Sequence, residues 1–312
     1  MNQTLLVIGS LPEALLAELR RDFQLLGPLS APEDALPPGA ERAEVLLTMS
    51  SLATGRGLIT ALPALKLVIC YGSGVEFVDQ DALRERGIAL TNAAGANAAS
   101  VAEFAMGQIL ASCRRILAGD GFLRSGQWLG NTVARYPQVT GLQGRRIGIY
   151  GLGEIGSQIA RLAQAFDMQV GYHSRTVKPV EYRYFEDIDA LAAWCDVLVI
   201  AARGTPQTYH VVNARVLQLL GPQGHLINIA RGMLLDEAAL CEALESGQLA
   251  GAALDVFEQE PRVSERLRRA PNAILTPHVA ANTASAQQAQ QQRMLDNVRR
   301  FYGQQPLIGS VC

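Results

Sequence analysis

Three side chains in this chain of 312 residues follow apolar runs and belong to types that can move a proton beside a bound anion. Arg231 closes Asn228-Ile229-Ala230-Arg231-Gly232, and Leu235-Asp236-Glu237 follows. An arginine right after a buried strand is costly to half-bury without an anion, and its planar fork suits a carboxylate. Leu254-Asp255-Val256-Phe257-Glu258-Gln259-Glu260-Pro261 sets several carboxylates beside another apolar run. His278 follows Leu275-Thr276-Pro277. Loops at the C-terminal ends of strands in an open parallel sheet share one crevice, so the cation, the acid and the imidazole can converge there. The arginine would hold an anion, and the histidine would exchange a proton near neutral pH. Alone, His278 reads as a structural histidine; the trio, coming after a nucleotide fingerprint, reads as a site.

That fingerprint is Gly151-Leu152-Gly153-Glu154-Ile155-Gly156, entered from Ile147-Gly148-Ile149-Tyr150 and left through Ile155, Ile159, Leu162, Ala163 and Phe166 at helical spacing. A strand, a glycine turn and a helix in this order make a phosphate cradle. The first glycine permits the turn, the second lets a pyrophosphate approach the backbone, and the third lets helix and strand pack closely. An NAD-selecting domain places an acid about 20 residues further on. Here Tyr172-His173 runs into Ser174-Arg175-Thr176, with Lys178 beyond and no carboxylate. A hydroxyl and a guanidinium suit a 2′-phosphate, so NADP(H) is expected over NAD(H), with NAD(H) still possible. The alternative is that Arg175 stacks on the adenine or faces solvent.

The elements that must position these groups are strands and helices in alternation. Strands are predicted at 5–8, 45–48, 67–70 and 88–91, then at 146–150, 168–172, 196–202, 225–229, 251–256 and 273–276. Helices are expected over Glu13 to Asp22, Val101 to Ile116 and Ala284 to Tyr302, and in the gaps between the later strands. Loops at 71–75 and 92–97 read either as ligand-facing or as plain turns, and 117–144 as an irregular arm packed on a second subunit or on its own domain. The fold class is α/β with two domains. The 49% apolar content supports sizeable cores, and the net charge of −2 gives no reason to expect a nucleic-acid or membrane surface. Met1 to Gly9 reads as a first strand rather than a signal peptide. Five scattered cysteines without a C-x-x-C suggest a reduced cytoplasmic setting and no metal. His173 sits at the cofactor edge and reads as incidental, and His210 and His225 have no acid partner visible in sequence.

Taken together, these motifs resemble the D-isomer-specific 2-hydroxyacid dehydrogenase family over nearly the whole length. The resemblance rests on the glycine turn, on Ile227 to Gly232 with Asp236-Glu237, on Gly251 to Pro261, on Thr276-Pro277-His278, and on Val101-Ala102-Glu103-Phe104. It implies a Rossmann dinucleotide domain (99–282) inserted in a smaller flavodoxin-like substrate domain (1–98 and 283–312). It also implies a homodimer in contact through 101–145, and no C-terminal regulatory domain of the kind found in phosphoglycerate-oxidising relatives. Residue by residue, it implies that Arg231 binds the substrate carboxylate and keto oxygen and that His278 is the general acid/base. Glu260 would pair with His278 and raise its pKa. The backbone of Ser73 and Gly74 would hold the substrate carboxylate. Gly151, Gly153, Glu154, Ile155, Gly156, Ala230 and Asp255 would lie at the cofactor, Asp255 near the nicotinamide.

Glu260 stands where formate-oxidising relatives carry glutamine, which argues against that activity. Tyr172 to Thr176 is similar to the NADPH-preferring glyoxylate, hydroxypyruvate and hydroxyphenylpyruvate reductases. The chain departs from the family pattern at Arg203 to Thr208 and at Ala281-Asn282. The expected activity is reduction of a small 2-keto acid to the D-2-hydroxy acid. The alternatives are NAD-linked oxidation of another D-2-hydroxy acid, and a dinucleotide-sensing protein resembling a corepressor, which would bind cofactor with little turnover.

Overall fold

The computed structural model describes residues 3–130 and 138–311. The chain divides into two compact units, Met1–Asn97 with Thr283–Cys312, and Ala98–Asn282. Cys312 and residues 131–137 of the expected contact region lie outside the described residues.

The first unit holds β1 (Thr4–Ile8), α1 (Glu13–Asp22), β2 (Gln24–Leu29), β3 (Val45–Met49), α2 (Arg56–Ala61), β4 (Leu67–Tyr71), α3 (Gln80–Glu85) and β5 (Ala89–Asn92). The five strands pair in parallel, in the order β2-β1-β3-β4-β5, the flavodoxin-like arrangement. Alternate side chains enter opposite cores: Leu5 and Val7 one, Leu6 and Ile8 the other. Burial on both faces is why these strands read as unbroken apolar runs. β2 was not expected. It is a half-exposed edge strand interrupted by Gly27-Pro28 and lacks such a run.

The second unit opens with α4 (Ala98–Cys113) and α5 (Ile116–Arg124). One helix over 101–116 was expected; instead Arg115 turns left-handed at φ 52°, and a second helix runs on through Gly119 and Gly121. α4 is buried nearly all round, whereas α5 buries no residue. There follow β6 (Arg146–Tyr150), α6 (Glu154–Ala165), β7 (Gln169–His173), β8 (Arg183–Tyr184), α7 (Ile188–Trp194), β9 (Val197–Ile200), α8 (Ala214–Leu220), β10 (His225–Asn228), α9 (Glu237–Glu245), β11 (Gly251–Leu254), α10 (Glu265–Arg269) and β12 (Ala273–Leu275). The parallel sheet has seven strands, β12-β11-β10-β9-β6-β7-β8, not the six expected. β8 is two polar residues long, and no helix precedes it, so neither apolar period nor spacing marks it. Along β9, Val197 and Val199 enter one core, Leu198 and Ile200 the other. Strand order reverses between β6 and β9, the switch point at which such sheets bind ligands. α11 (Ala284–Tyr302) then returns the chain to the first unit, where Met294, Leu295 and Val298 join the core shared by β1, β3 and β4.

Candidate active site

Three successive loops at the C-terminal ends of β10, β11 and β12 carry Arg231, Glu260 and His278. Asn228, fully buried at the end of β10, shapes the first loop. Its amide oxygen accepts from Ala230 N at 3.1 Å, and its Nδ2 donates to Arg231 O at 3.1 Å. Arg231 Nη1 in turn donates to Ala230 O at 2.7 Å. The next residue must be glycine, because a Cβ on Gly232 would lie 1.9 Å from the carbonyl carbon of Phe257. The arginine loop therefore rests directly on the loop carrying Glu260.

In that second loop Glu260 Oε1 accepts from Phe257 N at 3.0 Å, while Oε2 receives His278 Nδ1–H at 2.7 Å. His278 has a left-handed backbone, φ 54°, and its N–H donates to Thr276 O. Asp255 braces this third loop. Its buried carboxylate accepts from Thr276 Oγ1 at 2.6 Å, Val279 N at 3.0 Å and Ala280 N at 2.8 Å. Gln108 Nε2, from α4, donates to Thr276 Oγ1 at 3.1 Å.

The hydrogen bond to Glu260 raises the His278 pKa above its ordinary value, against burial and the Arg231 charge, which lower it. Burial pushes Glu260 up, but the bonds from His278 and Phe257 N, with the His278 and Arg231 charges, together hold it below the usual carboxylate range. The dyad thus favours an imidazolium–carboxylate pair with an arginine close enough to act on both. An imidazole tied through Nδ1 keeps Nε2 to exchange a proton with a substrate oxygen.

The glycine turn follows β6 in the same unit. A Cβ on Gly156 would lie 2.1 Å from Gly151 O, so helix and turn touch without a side chain between them. At Gly153 the space a Cβ would take is open. Gly153 caps α6 without a side chain, which leaves the first-turn N–H groups, at Glu154, Ile155 and Gly156, for an anion. These features fit a pyrophosphate. Beyond β7, Ser174 is half-buried and Arg175 and Thr176 are exposed. Ser73 and Gly74, in the first unit, follow β4; Ser73 O accepts from Asn92 Nδ2 at 2.7 Å.

Several features escaped the sequence. His210, expected to lack an acid partner, has Nε2 3.0 Å from Glu258 Oε1, too poorly aligned for a hydrogen bond. His210, Asp236 and Glu258 form the one group among the described residues that could hold a metal ion. Both carboxylates are engaged: Asp236 caps α9 through Ala239 N, and Glu258 accepts from Glu237 N. His225 pairs with Ser112 Oγ at 2.8 Å; burial, with the Arg145 charge, pushes it down to about 4, so it is neutral at pH 7. Burial pushes the Cys70 and Cys195 thiols up to about 12, which removes them as nucleophiles.

Residues 106–280 match the model of the D-isomer specific 2-hydroxyacid dehydrogenase NAD binding domain. The chain is 37% identical to a glyoxylate/hydroxypyruvate reductase A of Arabidopsis thaliana, covering 94% of each. It is likewise 37% identical to a hydroxyphenylpyruvate reductase of Plectranthus scutellarioides, again covering 94% of each. The chain belongs to the D-isomer specific 2-hydroxyacid dehydrogenase family. Among solved structures, it is similar to an NADPH-dependent glyoxylate/hydroxypyruvate reductase of Sinorhizobium meliloti in complex with NADP and malonate. The TM-score is 0.90 at 33% identity, with 100% of this chain and 97% of that one covered. A 2-hydroxyacid dehydrogenase of Ketogulonicigenium vulgare gives a TM-score of 0.89 at 34% identity, with 100% and 99% covered. As a member of this family, the chain is expected to use a nicotinamide dinucleotide, and its glycine turn fits one.

Proposed function

We propose that this protein reduces a small 2-keto acid of the glyoxylate or hydroxypyruvate type to the D-2-hydroxy acid, with NADPH preferred over NADH. The observation that carries the reading is the 2.7 Å His278–Glu260 pair, with Arg231 acting on both, at strand ends of the unit that holds the glycine turn. The bound dinucleotide supplies the hydride. Arg231 orients the substrate carboxylate and stabilises charge on the keto oxygen. His278, held as imidazolium by Glu260, gives that oxygen its proton from Nε2. The backbone of Ser73 and Gly74 is assigned to the substrate carboxylate. Gly151, Gly153, Glu154, Ile155 and Gly156 are assigned to the pyrophosphate, and Ala230 and Asp255 to the nicotinamide end. Ser174, Arg175 and Thr176 are assigned to the 2′-phosphate; the lack of any carboxylate at that position supports them.

The working unit is a homodimer in a reducing, cytoplasmic setting. Exposed Ile116, Leu117, Leu123, Trp128 and Leu129 support the dimer, as an apolar arm of this size calls for a cover. Four buried cysteines, each a free thiol, support the setting. Among the described residues no helix is long and apolar enough to cross a membrane.

The test is turnover of glyoxylate, hydroxypyruvate, phenylpyruvate and 2-ketogluconate with each dinucleotide. A folded His278→Ala protein should lose at least about a hundredfold in kcat, in line with general acid catalysis. Near-normal turnover in that variant removes the assignment. Equal kcat/KM for NADPH and NADH in the parent removes the role of Ser174 and Arg175. Tight dinucleotide binding without turnover of any keto acid favours the sensor.

A further inference from the structure

The loop between β7 and β8 carries Ser174, Arg175 and Thr176, and one side chain closes the stretch that holds them. Tyr172 is 1% exposed, its ring fixed in the core and lying edge-on to Tyr184 at 5.5 Å between centroids. Lys178 N–H donates to Tyr172 Oη at 2.9 Å, and the hydroxyl donates in return to Lys178 O at 3.4 Å. The loop leaves β7 just after Tyr172 and is clasped at Lys178 by the Tyr172 side chain. Within it, Ser174 Oγ donates to Thr176 O at 2.6 Å, which draws the turn closed. On the far side, Phe185 N donates to Tyr172 O at 2.8 Å, fixing the strand to which the loop returns. In a connection with no helix of its own, the Tyr172 hydroxyl thus ties the Ser174–Thr176 turn back to β7.

We infer that Tyr172 is a positioning residue for dinucleotide selection: its hydroxyl pre-orders the 173–178 loop so that Ser174 and Arg175 meet a 2′-phosphate without first being immobilised. This rests on the reading above that these residues receive that phosphate. The physical basis is the cost of ordering a loop on binding. A clasped loop has already lost its freedom during folding, whereas a free loop loses it at the expense of affinity. The cost falls only on a ligand that uses the loop. A dinucleotide without the 2′-phosphate gains little from Arg175, and the carbon that gives up hydride lies at the other end of the cofactor. The hydroxyl therefore governs the KM for NADPH and leaves kcat and the NADH reaction alone.

The test is Tyr172→Phe, which keeps the ring and removes one oxygen, assayed with both dinucleotides. Binding of 2′,5′-ADP and of 5′-ADP is measured by calorimetry, alongside the melting temperature. Loss of the clasp should raise the KM for NADPH and the Kd for 2′,5′-ADP about 5- to 10-fold, the range of one or two neutral hydrogen bonds. The kcat, the NADH kinetics and 5′-ADP binding should stay within about 2-fold. Val177→Gly loosens the same loop at a side chain that is 66% exposed. It should produce the same selective rise without touching the core. Parallel changes for NADPH and NADH, or no change in KM for NADPH in either variant, overturn the inference. Arg175→Ala separates the two readings. If it leaves the NADPH-to-NADH ratio unchanged, the 2′-phosphate assignment falls and this inference with it. If it lowers the ratio while Tyr172→Phe and Val177→Gly do not, only the positioning role falls.

Discussion

Glu260→Gln keeps the length and shape of the side chain and removes only its charge. The glutamine oxygen can still accept from Phe257 N, as Glu260 Oε1 does at 3.0 Å, so the loop has no reason to open. Its amide NH₂ then faces His278 Nδ1, where a carboxylate stood at 2.7 Å, and the charged imidazolium loses its acceptor. A hydrogen bond to a charged group contributes about 1.5–3 kcal/mol when buried. The side chains of His278 and Glu260 are 50% and 36% exposed, so solvent screening brings this to about 1–2 kcal/mol. Keto-acid reduction at pH 7.5 should therefore fall about 5- to 30-fold in kcat/KM.

The pH dependence of this variant has a definite sign. Glu260 raises the His278 pKa, so the proton-donating form persists to higher pH in the parent than for an ordinary histidine. Reduction by the variant should begin to fail at lower pH, and the two proteins should converge at the acid end. Stability follows the same order. The contribution from His278 is full below the ordinary histidine value of 6.5 and is lost as pH rises through its raised folded value. The contribution from Glu260 is present above its ordinary 4.5 and is lost as pH falls through its lowered folded value. The assay is kcat/KM from pH 5.5 to 9 with saturating NADPH, alongside urea melts. A variant whose reductive profile falls at the same pH as the parent's would refute the pairing argument.

Two further substitutions probe what holds the site. Gly232→Ala places a methyl 1.9 Å from the Phe257 carbonyl carbon, so the arginine loop and the Glu260 loop must separate. The expected cost is about 3 kcal/mol in stability, with about a hundredfold in kcat/KM as Arg231 moves; thermal melts and steady-state kinetics check both. Asp255→Asn offers one acceptor and an unwanted donor to a site where three hydrogen bonds converge on a buried carboxylate. It should cost about 2–4 kcal/mol by urea denaturation and lower activity by releasing the His278 loop. A variant of unchanged stability but no activity would instead make Asp255 part of the reacting site.

The sequence by itself determined the strands buried on both faces, because unbroken apolar runs bounded by turns have few other solutions. Val45–Met49 and Arg146–Tyr150 are legible in this way, as are the glycine turn and the amphipathic Ala284–Tyr302 helix. The motifs at Arg231, Glu260 and His278 were also legible, together with the family they resemble. What carries little local signal was not. β2 and β8 lie at sheet edges, half-exposed or two residues long, and owe their strand form to a neighbour. The break at Arg115 is a single left-handed residue between two apolar stretches. The tertiary structure alone decided that Gly232 must lack a side chain because of Phe257, that Asp255 spends its oxygens on residues 276–280, and that Tyr172 clasps Lys178. These partners stand 6 to 25 residues apart in sequence, and only the strand order and the course of the loops bring them within bonding distance. Periodicity reports which face of an element is buried; it carries no record of what lies across the gap.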